Sequence, residues 1–316
     1  MDTPFAWTPG EGIDPAALAR LQAQFPRPRL PMGEAWFMGE QRRMFPELLG
    51  SLDAVEPRVL EDALWEIASG TCSFGQRREW YAWYHHLLAH CVRRSHEGSL
   101  RPLLELLVSG FMAHYPGGIT SPPYAGFHED VLRTLGQCLM EPRCWSGQDI
   151  ALGAVLHRSN QNPNGVWCWW NASGDLSGSL FLCLKYLPTA QVASWFRSVL
   201  QIASPHWRGQ VLVWLVGAHE QLRSPARWPS MLDDAAYPAV TWEAAYCLKP
   251  EAGLENAAAP SQDNWLPEAG CRIVIDEVRA YFTDEVFLAW LESFSRDDDL
   301  QRELADIPSM FEGLYL

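Results

Sequence analysis

EPRVLEDALWEIAS, residues 56–69, shows the character of the chain most clearly. Its apolar side chains recur three and four positions apart, which is the spacing that lines one face of an α-helix. The stretch therefore predicts an amphipathic helix that buries one face against its neighbours. The residues on that face are Val59, Leu60, Ala63, Leu64 and Ile67.

The same spacing continues toward the C-terminus and predicts a succession of helices joined by short turns that contain proline or glycine. We expect the longest of these stretches, residues 271–294, to hold two helices that separate near Thr283. The other predicted helices lie in residues 76–94, 99–115, 126–140, 147–158, 176–187, 189–203, 206–223 and 297–307.

Consecutive helices with short connections are typical of antiparallel helix pairs. The predicted fold class is therefore all-α, with the pairs stacked in an irregular α-solenoid or packed as a large helical bundle. The pairs recur at roughly 40-residue spacing, which resembles HEAT-type repeats in helix length and pairing, although no residue signature recurs with them. Apart from CRIVI at residues 271–275, no segment alternates with period two over a useful length, so we expect no sheet.

The first segment, residues 1–50, is rich in proline and is predicted to be an irregular arm over the body, anchored by Trp36 and Phe37. One short helix should begin in it at Pro15, with Asp14 as its N-cap. Residues 51–316 are predicted to form a single helical domain. Its candidate sub-boundary is the proline-rich connection of residues 224–269.

The charge of the chain is acidic and unevenly distributed. The formal net charge is −14, and the two lysines are outnumbered by the arginines. Residues 284–316 carry nine acidic residues against Arg296 and Arg302. A protein that binds nucleic acid needs a basic face, so this balance argues against a nucleic-acid partner and favours a basic protein.

Three features of the sequence indicate where in the cell the protein is located. No window of 18 or more apolar residues is present, so no membrane association is expected. The N-terminal residues lack the basic and apolar regions of a secretory signal, and the eight cysteines are scattered without a CxxC pair. These features predict reduced cysteines and a cytoplasmic protein.

Tryptophan is unusually abundant, at 16 residues of 316. Most tryptophans lie on predicted helical stripes, but Trp167, Trp169 and Trp170 stand in the polar stretch 160–178, next to Asn171. Aromatic side chains on a loop provide rigid contact area for a partner protein or a sugar. The alternative is that the loop folds back and packs these rings between helices, and the sequence leaves both readings open.

The acidic run Asp297, Asp298 and Asp299 is the second candidate binding element. Acidic residues are favoured at the positive end of the helix dipole, and one aspartate can cap the helix. The run therefore predicts a helix N-terminus that also adds negative charge to the surface.

Enzymatic signatures are weak. His86 and His90 share a helical face at a spacing that can ligate zinc, but Leu87 stands where a metalloprotease has its glutamate. A third ligand would have to come from elsewhere, for example His114 or His128. No nucleophile elbow, phosphate-binding loop or dinucleotide fingerprint is present. We therefore predict no metal or other cofactor.

The sequence favours a non-enzymatic helical scaffold that binds another protein. In its most concrete form this is a bacterial immunity protein, antidote or adaptor that masks a basic toxin or nuclease through its acidic surface. The alternative is a helical enzyme with a pocket between helices that contains a metal. Whether the chain is an enzyme is thus left open by the sequence, with binding as the preferred interpretation.

Overall fold

The structure is a computed structural model. It describes residues 4–37, 40–69, 77–95, 103–151, 155–156, 169–229, 232, 237–242, 244–248 and 264–316, with the backbone alone at 33–37, 40–42, 77 and 246.

Thirteen α-helices lie in these described ranges, so the prediction of a mostly helical fold is confirmed. The arrangement of the helices as a HEAT-like solenoid stays a prediction. The helices are α1 (Pro15–Gln24), α2 (Pro57–Ser69), α3 (Arg77–Cys91), α4 (Leu103–His114), α5 (Phe127–Thr134), α6 (Gly174–Tyr186), α7 (Thr189–Gln201), α8 (Pro205–Gly217), α9 (His219–Arg223), α10 (Glu268–Tyr281), α11 (Asp284–Phe294), α12 (Asp298–Glu303) and α13 (Ile307–Tyr315).

The chain divides into two compact units. The first unit comprises Met1–Gly12, Leu139–Trp242 and Gln262–Leu316, and the second comprises Ile13–Cys138 and Glu243–Ser261. Each unit is therefore assembled from segments that are distant in sequence.

In the second unit, α2 packs against α4, and α1 packs against α3 and α5. The helix at Pro15 begins where the sequence predicts it, because the Asp14 carboxylate accepts hydrogen bonds from the backbone N–H groups of Ala16 and Ala17 at 2.7 and 3.2 Å. The amphipathic stripe of residues 56–69 forms the buried face of α2. The buried residues of α2 are Leu60, Ala63, Leu64, Ile67 and Ala68.

The expectation that the chain contains no sheet was wrong. In the predicted irregular arm, β1 (Met32–Phe37) pairs antiparallel with β2 (Glu40–Met44), and the register is irregular between Met32 and Glu34. A short hairpin with such an irregularity leaves no clean period-two pattern to read in the sequence. The side chains of Trp36 and Phe37, the predicted anchors, lie outside the described residues.

The helix predicted over residues 147–158 was also wrong for the part that the structure describes. β3 (Trp145–Ser146) and β4 (Asp149–Ile150) form a tight hairpin there. Gly147, the first residue of the two-residue turn, has a φ of +65°, which a glycine adopts without strain and which such turns require. The turn therefore overrides the helical spacing of the residues that follow.

In the first unit, α10 packs against α6, α7, α9 and α13, while α8 packs against α11 and α13. The predicted break near Thr283 is confirmed, because Thr283 caps α11 by accepting a hydrogen bond from the Val286 N–H at 3.3 Å. α13 was not predicted. The core of this unit contains four tryptophans that are at most 1% exposed: Trp195, Trp207, Trp214 and Trp290.

The N-terminal residues 4–12 are anchored in the core of the first unit through Trp7. Its backbone N–H donates to the Ser198 hydroxyl at 2.8 Å, and its ring lies 5.6 Å from Trp195 and 5.7 Å from Trp207, in edge-on geometry. Such aromatic contacts add to the free energy gained by burial. Trp7 is thus an anchor of the N-terminal segment that the sequence did not single out.

Among the described residues, no helix is both long and apolar enough to span a bilayer. Six cysteines in the described ranges are buried, as the sequence predicted. Burial of this kind makes cysteine a small apolar packing residue.

His85 makes the stability of the second unit depend on pH. Its Nε2 atom lies 2.8 Å from the Tyr115 hydroxyl, and its ring stacks on Phe25 at 4.5 Å. Burial lowers the pKa of His85 to about 4 from 6.5. Between these two values the unfolded chain binds more protons than the folded chain, so stability is complete above pH 6.5 and falls as the pH drops toward 4.

We expect this single group to cost about 3 kcal/mol of unfolding free energy by pH 4. Denaturant titrations at several pH values measure the effect. In the variant His85→Gln, which cannot titrate, the slope of stability against pH should be shallower over that interval. An unchanged slope would show that His85 does not titrate as the structure implies.

Candidate functional site

The loop that contains Trp169 and Trp170 is attached to helix α8 by Gln210. The Gln210 side chain is fully buried, and its Nε2 group donates to the carbonyls of Trp169 at 3.0 Å and Asn171 at 2.9 Å. Its Oε1 atom accepts from the Ser173 N–H at 2.8 Å. One side chain thus satisfies three backbone groups of the loop, and this fixes the loop conformation.

A second segment supports the loop from residues 239–241. The N–H of Ala172 donates to the Ala239 carbonyl at 2.9 Å, and the N–H of Thr241 donates to the Ala172 carbonyl at 3.0 Å. The Asn171 side chain accepts from the Ala239 N–H at 3.0 Å. Asn171 therefore supports the loop, and its side-chain oxygen is engaged within the protein.

The structure assigns different environments to the tryptophans of the loop. Trp169 is 2% exposed and packs inward, whereas Trp170 is 37% exposed. The ring of Trp170 lies 6.0 Å from that of Tyr237, which is 49% exposed. The loop therefore has one buried tryptophan next to one at the surface. Trp167 lies outside the described residues.

The acidic run begins helix α12, as predicted. The Asp297 carboxylate accepts from the N–H groups of Asp299 and Leu300, both at 3.0 Å, and so caps the helix. Asp299 forms an ion pair with Arg302 at 2.8 Å. Asp298 is exposed, and no ion pair is seen for it within the described ranges.

His206, at the start of α8, is the residue on which the two predicted binding elements converge. Its ring lies 4.9 Å from the Trp169 ring, and its Nε2 atom lies 3.4 Å from an oxygen of Asp297. On the other side, Nδ1 lies 3.5 Å from an oxygen of Asp149. The backbone N–H of Trp169 also donates to Glu303 at the end of α12.

Close packing between α8 and α12 holds this arrangement together. Gly209 of α8 faces Leu304, and a Cβ atom on Gly209 would lie 2.8 Å from the Leu304 Cδ1 atom. A larger residue at position 209 would require the Leu304 side chain to move. The loop, α8 and the residues of α12 are therefore one packed cluster within the first unit.

No pattern in the sequence marks His206 or Gln210 as part of a site. Both lie on an apolar helix with no recognisable motif, and their partners are distant in sequence. The only local signal was Pro205, which marks the first turn of α8 but says nothing about contacts.

The chemistry around His206 does not resemble a catalytic triad. The Ser204 hydroxyl donates to Asp149 rather than facing the imidazole, and its oxygen caps α8 by accepting from the Trp207 N–H at 3.2 Å. The two ring nitrogens of His206 face different carboxylates, so these groups do not converge on one point. Within the described residues, no group of three or more metal-ligating side chains is found.

The C-terminal stretch of residues 284–316, which includes α12, carries an excess of negative charge. Arg296 and Arg302, the basic residues of the C-terminal stretch, are held in ion pairs with Glu292 and Asp299. Several acidic side chains of the same stretch are exposed and have no ion pair within the part of the chain that the structure describes. They are Asp284, Glu285, Asp298, Asp306 and Glu312.

The histidines considered for zinc lie in the second unit. The rings of His86 and His90 are 4.4 Å apart, and His86 Nδ1 lies 3.1 Å from the Phe25 carbonyl oxygen. Burial lowers the pKa of both imidazoles. His114 Nδ1 is engaged with the Gly110 carbonyl at 2.8 Å, so this proposed third ligand has a local partner.

Comparisons with known proteins give no match: no family model, no curated protein and no solved structure is similar to this chain.

The role of Gln210 can be tested by the variant Gln210→Met, which keeps the side-chain length but loses the hydrogen bonds. We expect the free energy of unfolding to fall by about 2 kcal/mol, because the loop carbonyls and N–H lose their buried partner. Denaturant unfolding measures this change. The matched control is Gln201→Met at an exposed position of α7, where a change within about 0.5 kcal/mol is expected.

If both glutamine variants unfold at the same denaturant concentration, Gln210 does not hold the loop.

Proposed function

We propose that this protein is a non-enzymatic binding protein that recognises a basic partner protein through one surface of its first unit. We call this the Trp170 surface and define it as Trp170, Tyr237, Asp298 and Asp299. The observation that carries the proposal is the convergence of the loop at 169–173 and the α12 N-terminus on His206. Two elements that are separate in sequence thereby offer aromatic and acidic side chains in the same cluster.

A basic partner is favoured by the charge. The net charge of −14 and the exposed acids of residues 284–316 create a negative field that speeds the encounter with a positive surface. The same field repels the phosphates of nucleic acids. The proposal therefore names a protein as the partner and excludes nucleic acid.

Arginine is the contact residue that suits the surface best. A guanidinium group stacks on aromatic faces and pairs with carboxylates through two parallel hydrogen bonds. Trp170 and Tyr237 supply exposed rings, and Asp298 supplies an exposed carboxylate. Lysine would satisfy the charge but gains less from the rings.

The concrete form of the proposal is a bacterial immunity protein, antidote or adaptor that masks a basic toxin or nuclease in the cytoplasm. In this form a HEAT-like helical scaffold supplies the rigid support, and the Trp170 surface supplies the contact. The charge, the exposed aromatic pair and the helical scaffold support it.

Arginine-rich and lysine-rich peptides of equal length test the proposal. We expect nona-arginine to bind more tightly than nona-lysine and to lose affinity as salt rises from about 20 mM to about 300 mM. The variant Asp298→Asn with Asp299→Asn should weaken nona-arginine binding about fivefold at low salt. Isothermal titration calorimetry measures the dissociation constants.

The matched control carries the same change in net charge at exposed acids on other helices, Asp276→Asn in α10 and Glu312→Gln in α13. It should bind nona-arginine nearly as tightly as the unaltered protein. Equal losses in both double variants would mean that only the total charge matters and that no local surface recognises arginine.

A further inference from the structure

An open cavity of about 290 Å³ lies in the second unit, between the segment that follows α1 and the first two turns of α3. The Nε1 group of Trp83 in α3 donates a hydrogen bond to the Leu30 carbonyl at 3.1 Å and so holds this segment against the helix. The volume is at the lower end of the range for small-molecule sites, about 300 to 1,000 Å³. Most of the side chains that line the cavity are apolar: Pro28, Leu30, Pro31, Ala82 and Trp83.

The apolar walls of this cavity are partly rigid and partly exposed to water. Trp83 is 1% exposed, and the two prolines restrict the backbone of the opposing segment because each fixes its own φ angle. Leu30, by contrast, is 54% exposed. An apolar ligand would therefore gain free energy by covering Leu30 and filling the space beside Trp83.

The charged side chains at the cavity are mostly basic, although the protein as a whole is acidic. Arg29 and Arg78 line the cavity together with Glu79, so the three residues carry a formal net charge of +1. Both arginines are exposed, and neither forms an ion pair or a hydrogen bond within the part of the chain that the structure describes. The neighbouring Arg27 is different, because its guanidinium group is bound to the Gly50 carbonyl at 2.7 Å. Two guanidinium groups are thus available for an anion beside an apolar cavity.

We propose that this cavity binds a small organic anion with an apolar body and one carboxylate. The apolar body fills the space beside Trp83, and the carboxylate accepts hydrogen bonds from Arg29 and Arg78. A guanidinium group pairs with a carboxylate through two parallel hydrogen bonds, so both the charge and the planar shape of the ligand are recognised. A neutral ligand of the same shape would gain only the apolar contacts. The site belongs to the second unit and does not involve the Trp170 surface.

Naphthalene-2-carboxylate and naphthalene-2-carboxamide are a matched pair of probes, because they have nearly the same shape and differ in charge. Isothermal titration calorimetry with the full-length protein measures both dissociation constants. At about 20 mM salt we expect the carboxylate to bind at least about tenfold more tightly than the amide. In the variant Arg29→Gln with Arg78→Gln, the carboxylate should bind about tenfold more weakly and the amide as before, so that the two probes bind alike.

Two controls separate this site from a general effect of charge. The variant Arg58→Gln with Arg93→Gln removes the same charge at two exposed arginines of the second unit that do not line the cavity, and it should bind the carboxylate within about twofold of the unaltered protein. Ala82→Phe changes an exposed position of α3, so it should leave the circular dichroism spectrum unchanged, but its ring fills the cavity and should abolish binding of both probes.

Three results would each overturn the proposal. The first is equal affinity of the unaltered protein for the two probes, or no binding of the carboxylate at about 1 mM. The second is an equal loss of affinity in the two double-arginine variants. The third is unchanged binding of the carboxylate by Ala82→Phe.

Discussion

Replacing Trp207 with alanine is expected to lower the free energy of unfolding by about 4 kcal/mol, the cost of removing a large, fully buried ring. Its indole nitrogen donates to the Val199 carbonyl at 3.0 Å, so the variant also leaves that carbonyl without its partner. The ring further contacts Trp7 and Trp145, both at 5.7 Å. The cavity would therefore lie where the N-terminal segment, α8 and the β3–β4 hairpin meet.

Denaturant titration followed by far-ultraviolet circular dichroism measures this loss. Leu288→Ala is the control, because Leu288 is a large apolar residue that is 63% exposed and should change stability by no more than about 0.5 kcal/mol. A double-mutant cycle with Trp7→Ala should show coupling, since the two rings are in contact. Additive losses in the cycle would mean that Trp7 does not anchor residues 4–12 on Trp207.

The second large effect is a difference in stability between variants of two adjacent tryptophans, Trp169 and Trp170. Trp169→Ala should destabilise the protein by about 4 kcal/mol, because the ring is buried and contacts His206. Trp170→Ala should leave stability unchanged within about 0.5 kcal/mol, because its ring is at the surface. Thermal and denaturant unfolding of the two variants, each the control of the other, give the comparison.

Trp170 should matter for binding although it matters little for stability. Trp170→Ala should weaken nona-arginine binding severalfold while the protein remains folded. Equal destabilisation by the two substitutions would place both rings in the core. That result would remove the aromatic part of the Trp170 surface.

Much of the helical fold could be predicted because its signals are local. Asp14 and Thr283 begin α1 and α11 by hydrogen bonds to backbone groups within three residues of themselves. Such caps depend on the residue type and its neighbours alone. The amphipathic stripe of α2 is equally local, since its period follows from helix geometry.

The hairpins were missed for the opposite reason. The β3–β4 turn depends on the positive φ of Gly147. The apolar residues after it are spaced as in a helix, and this spacing led to the wrong prediction of a helix over residues 147–158. The β1–β2 pair is held by hydrogen bonds between strands, which no single-residue preference reveals. In both hairpins the local structure is determined by a turn or by strand pairing and not by the spacing of apolar residues.

The candidate site was predicted only in part. The sequence pointed to Trp169, Trp170 and Asp297 from composition, but it could not show that the loop and α12 meet. That meeting depends on Gln210 and His206, whose hydrogen bonds and contacts reach residues far away in the chain. Periodicity describes which face of a helix is buried, and it carries no information about which distant residue lies against that face.

Hydrogen exchange with and without nona-arginine shows whether the loop at residues 169–172 and α12 bind the peptide together, because it maps the bound surface along the whole chain. When nona-arginine is bound, we expect the proteolytic fragments that cover residues 169–172 and residues 298–303 both to exchange more slowly. At a peptide concentration near the dissociation constant, this protection should be reduced in the variant Asp298→Asn with Asp299→Asn, which binds the peptide about fivefold more weakly. Protection of only one of these segments, or protection confined to other parts of the chain, would contradict the claim that they form one binding surface.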